Sequence, residues 1–423
     1  MEALLVMTRG VVMQADVLVL GAGMIGVSTA LQLQRRGRQV ALIDRRAPGE
    51  ETSYGNAGLI QREAVEPYPF PHDSRMIFKV MRKGGIDVNY HPLALPRLAS
   101  PLAQYWWWSS PSRYARVARE YSRLIEHCLS EHDSLIREAG ADALVRQTGW
   151  RTAFRTPSAM AQGIAHAERL QREYGVEHTV VDGAELGRLE PGLRHPMAGA
   201  VHWTQPWSVR DPGALVASYA DLFRQRGGHF VNGDATTLAQ HGKGWRVTTQ
   251  DGVIDAEQAV IALGPWADTL TRRLGYRLPL FVKRGYHRHY TMRKPLSMAM
   301  LDAENGIMLA PMNRGLRITT GAEFARLDAR ATPLQSGRAE VAARQILELG
   351  EAVEAASWLG ARPCTSDMKP IIGPAPRHPG LWLHFGHAHQ GFTLGPASGR
   401  LLAEMICGET PYVDPAPYAA TRF

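Results

Sequence analysis

The chain has 423 residues, 45% of them hydrophobic and 21% charged, with a formal net charge of +8. That length exceeds what one hydrophobic core usually supports, so two domains are expected, and the composition is that of a globular protein rather than a disordered or fibrous one. Three scattered cysteines, Cys128, Cys364 and Cys407, argue against a disulfide framework or a metal site and fit a reducing compartment; no apolar run is long enough to span a bilayer, and the dispersed Lys and Arg residues form no block suited to nucleic acid.

In the first thirteen residues Glu2 precedes Arg9, the reverse of the charge order of a signal peptide, so this stretch is expected to be a short disordered extension. Residues 15–20 (ADVLVL) predict a strand that runs into Gly21-Ala22-Gly23-Met24-Ile25-Gly26. Apolar residues at helical spacing follow until Gly37, and a second strand over 39–43 ends at Asp44. Strand, glycine turn, helix, strand and acid together give the context in which G-x-G-x-x-G binds a dinucleotide. Gly21 permits the turn, Gly23 admits the pyrophosphate, and Gly26 lets helix and strand pack closely. Met24 and Ile25 open a helix whose free N–H groups face the phosphates, and Asp44 accepts from the adenosine ribose. Arg45 and Arg46 leave a 2′-phosphate open at this point, so the motif alone does not choose between FAD and a nicotinamide cofactor.

Residues 51–58 (ETSYGNAG) form a small, polar loop able to line a cofactor. Residues 67–98 show no clear period, which predicts a long loop with short helices. The run Trp106-Trp107-Trp108 is expected to pack between the two domains, with a membrane-surface role as its alternative. Residues 112–139 predict one helix stopped by Gly140; a strand pair near 145–156 and a helix near 158–174 come next. Asp211-Pro212 opens an amphipathic helix closed by Gly227-Gly228. A strand at 229–231, a hairpin of 245–249 with 253–256, and a strand over 258–263 ending at Gly264-Pro265-Trp266 restore the αβ alternation.

Four blocks now stand out: residues 21–44, residues 51–58, Ala262-Leu263-Gly264-Pro265-Trp266-Ala267, and a C-terminal pair. That pair is Gly360-Ala361-Arg362-Pro363-Cys364-Thr365-Ser366-Asp367 and Gly386-His387-Ala388-His389-Gln390-Gly391-Phe392-Thr393. On these blocks, spread over nearly the whole chain, the sequence resembles the D-amino-acid oxidase-like (DAO) family of FAD-dependent oxidoreductases, in particular its bacterial D-amino-acid dehydrogenases, the hydroxyproline and proline types included. The resemblance implies an α/β fold, α+β overall. A Rossmann-like FAD-binding domain would be assembled from 14–75, 205–275 and 355–423, and a substrate domain of mainly antiparallel sheet plus helices from 76–204 and 276–354.

It also implies roles. Thr52, Ser53, Asn56, Ala57 and Gly58 would sit against the flavin and its phosphates, Ala262, Gly264 and Trp266 over the adenosine–pyrophosphate half, and Ala235 against adenine. Gly360 and Arg362 belong to a block whose arginine forks onto the substrate carboxylate. Gly386, His387, Gln390, Gly391, Phe392 and Thr393 lead into a helix, about 394–407, aimed at the flavin pyrimidine ring. Cys364 is out of register for covalent attachment, so non-covalent FAD is expected. Ala388, where relatives often carry glycine, and the stretch Thr148-Gly149-Trp150-Arg151 depart from the family pattern and leave substrate preference open. In the strand around Arg284-Gly285, Tyr286 is expected to contact the carboxylate or amine, and His287 and His289 to orient or deprotonate the amine.

The implied reaction is oxidation of the C–N bond (CH–NH or CH–NH2) of a small amino acid, a D-amino acid or a proline-like one, to an imine by hydride transfer to flavin N5. Electrons would go on to a quinone or carrier. An oxidase using dioxygen on D- or N-methyl amino acids, and a flavin-binding protein without turnover, are the alternatives. Expected partners are the small-molecule substrate and the electron acceptor, with no nucleic acid. A cytoplasmic location with at most peripheral contact with the inner membrane completes the expectation.

Overall fold

Unbroken apolar runs at 17–20 (VLVL) and 40–43 (VALI) are buried on both faces, as central strands of a parallel sheet must be. In the computed structural model, which describes residues 12–73 and 85–423, they lie in the strands Val12–Leu20 (β1) and Val40–Asp44 (β2), joined by the helix Met24–Arg35 (α1). β2 and the long strand Gly252–Ile261 flank β1, both parallel to it; His229–Asn232 continues the sheet beyond β2, and Leu381–Phe385 pairs in parallel beyond Gly252–Ile261. The expected hairpin forms between Gly244–Thr249 and Gly252–Ile261, but its second arm and the following strand are one continuous element. Asp211 caps the helix Pro212–Gln225 by accepting from the N–H of Ala214 at 3.0 Å, which satisfies one of the free donors of the first turn.

A second, eleven-stranded sheet is mainly antiparallel. Its spine, Leu280–Met292, pairs antiparallel with Gly315–Thr319 and with Trp358–Thr365. The sheet continues through Ile307–Met312 and Met300–Asp302 to Trp150–Phe154, Gly199–Trp203 and His178–Asp182. Trp358–Thr365 was grouped by sequence with the nucleotide unit. Its ladder is with Leu280–Met292 of this second sheet, and an isolated antiparallel bridge between Cys364 and His387 ties it to the C-terminal segment.

Other expectations are corrected. The helix expected over 112–139 is two helices, Pro111–Ile125 and Cys128–Glu138, with a break at Glu126 and His127. Val145–Arg146 and Trp150–Phe154 do not pair with one another: the first joins Trp207–Val209 and the second Gly199–Trp203. Trp106 and Trp107, at the end of the helix Leu95–Trp108, are 48% and 45% exposed, so they do not pack between the sheets. The N-terminal extension lies outside the described residues up to residue 11, and Val12 and Met13 already belong to β1; of the loop expected over 67–98, residues 74–84 lie outside them too. Among the described residues no helix is long and apolar enough to cross a membrane.

Candidate functional site

In a parallel sheet the loops at the carboxyl ends of the strands surround a crevice, and ligands bind there. Five such loops meet here. The glycine turn after β1, Asp44 at the end of β2, residues 233–236, residues 263–266 and residues 386–390 all line one cavity of about 1000 Å³. It runs from the glycine turn to Arg362 on the second sheet.

At the first end, Gly21 has φ +107°, and a Cβ there would stand 2.5 Å from the carbonyl oxygen of Ala262. A Cβ at Gly26 would stand 1.8 Å from the carbonyl oxygen of Gly21, so Gly26 supports the turn from behind and does not itself face the cavity. A Cβ at Gly23 would meet only the Ser53 hydroxyl, at 3.4 Å, which leaves the cavity side of that residue open. The N–H of Ala22 donates to Asp44 Oδ2 at 2.7 Å and the N–H of Met24 to Ser53 Oγ at 3.0 Å, fixing the turn against the second strand and the 51–58 loop. Arg45 lines the wall with its guanidinium 4.8 Å from the ring centre of Trp266, and Glu51 pairs with both Arg45 and Arg46 at 3.3 and 3.1 Å. Arg46 is off the wall, its backbone N–H given to Asp44 Oδ1 at 3.1 Å. Met24, Ile25, Thr52, Ser53, Asn56, Ala57, Ala235, Ala262, Gly264 and Trp266 all reach the cavity. An open face over Gly23, the N-terminus of α1 at the cavity wall and an acid at the end of the second strand fit a dinucleotide cofactor.

Further in, the 51–58 loop is tied to the second sheet. Thr52 Oγ1 donates to the carbonyl of Ala361 at 2.9 Å, and Arg317 Nη1 donates to the carbonyls of Tyr54 and Asn56 at 2.8 and 2.6 Å. Arg317 Nε also donates to His289 Nε2 at 3.0 Å, so Nδ1 carries the proton and donates it to Glu354 at 2.6 Å. Gly58 sits behind the loop, its N–H bound to Asn56 Oδ1 at 2.7 Å.

The histidine expectations are corrected by this arrangement. His289 is fully used in holding the loop and does not face the cavity. His287 stacks on Trp358 with ring centres 4.8 Å apart, and the indole, not the imidazole, reaches the cavity. Burial pushes the His287 pKa down to about 2, with Arg317 acting in the same direction, so it is a neutral packing group. Tyr286 touches the cavity, but its hydroxyl donates to Glu323 at 3.1 Å and accepts from the N–H of Thr332 at 2.7 Å, so its proton is not offered to a substrate carboxylate.

Arg362 reaches the cavity together with Gly360. Its guanidinium lies over Gly285, where a Cβ would stand 2.5 Å from Nη1, and Nη1 points at the carbonyl of Gly321 at 3.3 Å. Among the described residues it has no carboxylate partner. Gly386, His387 and Gln390 line the wall ahead of the helix Gly391–Ile406, and Gly391 and Phe392 line it from the helix's first turn. Thr393 is just behind it, its hydroxyl donating to the carbonyl of Leu59 at 3.3 Å and accepting from Gln61 N–H at 3.2 Å. Ala388 adopts φ +49°, a left-handed conformation that explains why glycine is the easier residue there.

Sequence reasoning missed several wall residues: Tyr68, Tyr105, Lys283, Trp358, His384 and His389. Only Lys283 carried a signal, as a lysine inside an otherwise buried strand (LFVKRGYHRHY). The aromatic residues are brought in from distant segments.

The chain matches the family model described as FAD dependent oxidoreductase (DAO) over residues 16–405. It is 30% identical to a D-amino acid dehydrogenase of Chromohalobacter salexigens, covering 96% of this chain and 99% of that protein. It is also 30% identical to a D-amino-acid oxidase of Bradyrhizobium diazoefficiens, covering 96% of this chain and 98% of that protein. Among solved structures it is similar to a glycine oxidase from Geobacillus kaustophilus, with a TM-score of 0.73, 23% identity, and coverage of 97% of this chain and 99% of that one; this likeness speaks for the fold. With a dinucleotide cradle at the carboxyl edge of a parallel sheet and a family match over nearly its whole length, the chain belongs to the DAO family of FAD-dependent oxidoreductases.

Proposed function

We propose that the protein oxidises the C–N bond of a small amino acid, a D-amino acid or a proline-like one, with non-covalently bound FAD. The observation that carries this reading is Arg362, a guanidinium open to the inner end of the cavity and, among the described residues, without a carboxylate to neutralise it. Such a fork binds a carboxylate through two parallel N–H bonds and fixes both its position and its plane. FAD, when bound, supplies the two-electron acceptor. The chain's own contribution is then orientation. Arg362 anchors one end of the substrate, Trp358 and Tyr68 close the walls against water, and the positive charge of Arg362 favours the neutral amine that the oxidation needs. In this reading the segments of the parallel sheet form the FAD unit and the larger sheet forms the substrate unit.

The acceptor in this proposal is a quinone or carrier. Support comes from the exposed pair Trp106 and Trp107, with Arg113 stacked 3.7 Å from the Trp107 ring centre, a surface suited to peripheral contact with an anionic membrane from the cytoplasmic side. A second reading, direct use of dioxygen, is favoured by the likeness to the Bradyrhizobium oxidase. Reducing the purified protein anaerobically with amino acids and then admitting either air or a soluble quinone analogue tests both. Fast recovery of the yellow form with the quinone and slow recovery in air supports the dehydrogenase; rapid recovery in air with stoichiometric hydrogen peroxide supports the oxidase.

A further inference from the structure

Lys283 is 6% exposed and lies in the spine strand of the second sheet, directly opposite Arg362 in the antiparallel pairing. Residues in register across antiparallel strands project to the same face, so both cations serve the cavity. Their heads diverge. The guanidinium lies over Gly285, two residues further along the strand. The ammonium leans the other way, 4.3 Å from the ring centre of Tyr105 and 5.9 Å from that of Phe281, two residues back, with Nζ donating to Tyr105 Oη at 2.8 Å. The two heads thus lean towards opposite ends of this stretch of the strand, and each presents its own donors to the cavity.

Tyr105 uses its own proton on the carbonyl of Tyr68 at 2.5 Å, so it neutralises nothing. Lys283 has no carboxylate partner among the described residues, and at least one of its three N–H donors remains uncommitted. A buried ammonium in an aromatic pocket is costly unless an anion meets it. Among the described residues Arg362 and His389 are basic groups near it; burial, Arg362 and Lys283 hold His389 well below its usual pKa, so it adds no charge.

Resting on the amino-acid reading above, we propose that Lys283 forms a second anion subsite, and that the preferred substrate is an amino acid carrying a second carboxylate. Arg362 takes the α-carboxylate and Lys283 the side-chain acid.

The test uses the holoenzyme, reduced anaerobically with both enantiomers of aspartate and glutamate, and with asparagine and glutamine as neutral isosteres. The readout is the ratio of apparent affinities, acid to amide, followed by flavin bleaching. The expected ratio is about tenfold or more in favour of the acid, as a charged hydrogen bond implies, and Lys283→Met brings it close to one. Should that variant not fold, the ratio in the unmodified protein and the perturbation of the flavin spectrum by succinate relative to succinamide carry the test. Equal affinity for acid and amide, or a Lys283→Met variant that keeps the native ratio, overturns the second subsite while amino-acid oxidation stands. Failure of every amino acid, acidic or neutral, to bleach the flavin overturns both.

Discussion

Asp44 Oδ2 accepts the backbone N–H of Ala22 at 2.7 Å, so the acid that ends the second strand also holds the glycine turn that follows the first. Its other oxygen takes the N–H of Arg46 at 3.1 Å. Replacing Asp44 with Ala removes a ribose acceptor and loosens the turn together. A charged hydrogen bond contributes roughly 1.5–3 kcal/mol, so Asp44→Ala is expected to weaken FAD binding at least about tenfold, with an unchanged spectrum for the flavin that remains. Titration of apoprotein with FAD measures it, and an unaltered dissociation constant would refute the assignment.

Gly23 and Gly26 separate cofactor binding from folding. Gly26→Ala puts a Cβ 1.8 Å from the carbonyl oxygen of Gly21, so the turn cannot form and the melting temperature of the apoprotein drops. Gly23→Ala meets only Ser53 Oγ at 3.4 Å. It is expected to leave the apoprotein melting temperature nearly unchanged while abolishing most of the stabilisation by FAD. Thermal melts of both variants with and without FAD distinguish the two roles.

His287 is packed against Trp358 and kept neutral, so His287→Phe preserves the packing, costs at most about 1.5 kcal/mol of stability, and is expected to leave kcat/KM within about tenfold. A loss of several orders of magnitude would restore the histidine as a base.

Stability is expected to rise with pH between about 4.5 and 6.5. His132, His287 and His387 are driven by burial from the ordinary 6.5 to about 4, 2 and 3. In that window the unfolded chain binds their protons and the native chain does not, so lowering the pH favours unfolding. Glu63 works the other way, since burial raises its pKa to about 7 and its stabilisation is lost as the pH rises towards that value. Three histidines outweigh one carboxyl. Urea midpoints measured across the window give the sign, and a midpoint that falls with rising pH would contradict it.

Cys364 is buried, its thiol directed at the carbonyl of Arg362 at 3.6 Å, and burial raises its pKa. A protonated thiol of this kind is a poor nucleophile. Acid precipitation is therefore expected to release all flavin into the supernatant; colour retained in the pellet would show a covalent link.

The nucleotide end was legible in the sequence because its chemistry is local: Gly21, Gly23, Gly26 and Asp44 lie within one βαβ unit, where spacing dictates geometry. Arg362 was legible through the resemblance. What was not legible depended on strand register. Whether His287 faces the cavity is decided by Trp358, which sits opposite it on a strand seventy-odd residues away in sequence and covers it. Lys283 escaped for the same reason, since only the pairing with Arg362 shows that the two cations share a face. The break at Glu126 and His127 lies inside an apolar periodicity that gave no sign of it.

The central claim is that Arg362 receives a substrate carboxylate beside FAD, and rapid anaerobic mixing of the yellow holoenzyme with amino acids tests it most directly. Amino acids are expected to bleach the flavin, and their amides and the corresponding simple amines to do so far less readily. Arg362→Lys keeps the charge but loses the fork, and is expected to raise the apparent dissociation constant for the amino acid by a factor equivalent to about 2–5 kcal/mol. Equal bleaching by amino acids and by amines without a carboxylate, with Arg362→Lys indistinguishable from the native protein, would contradict the account.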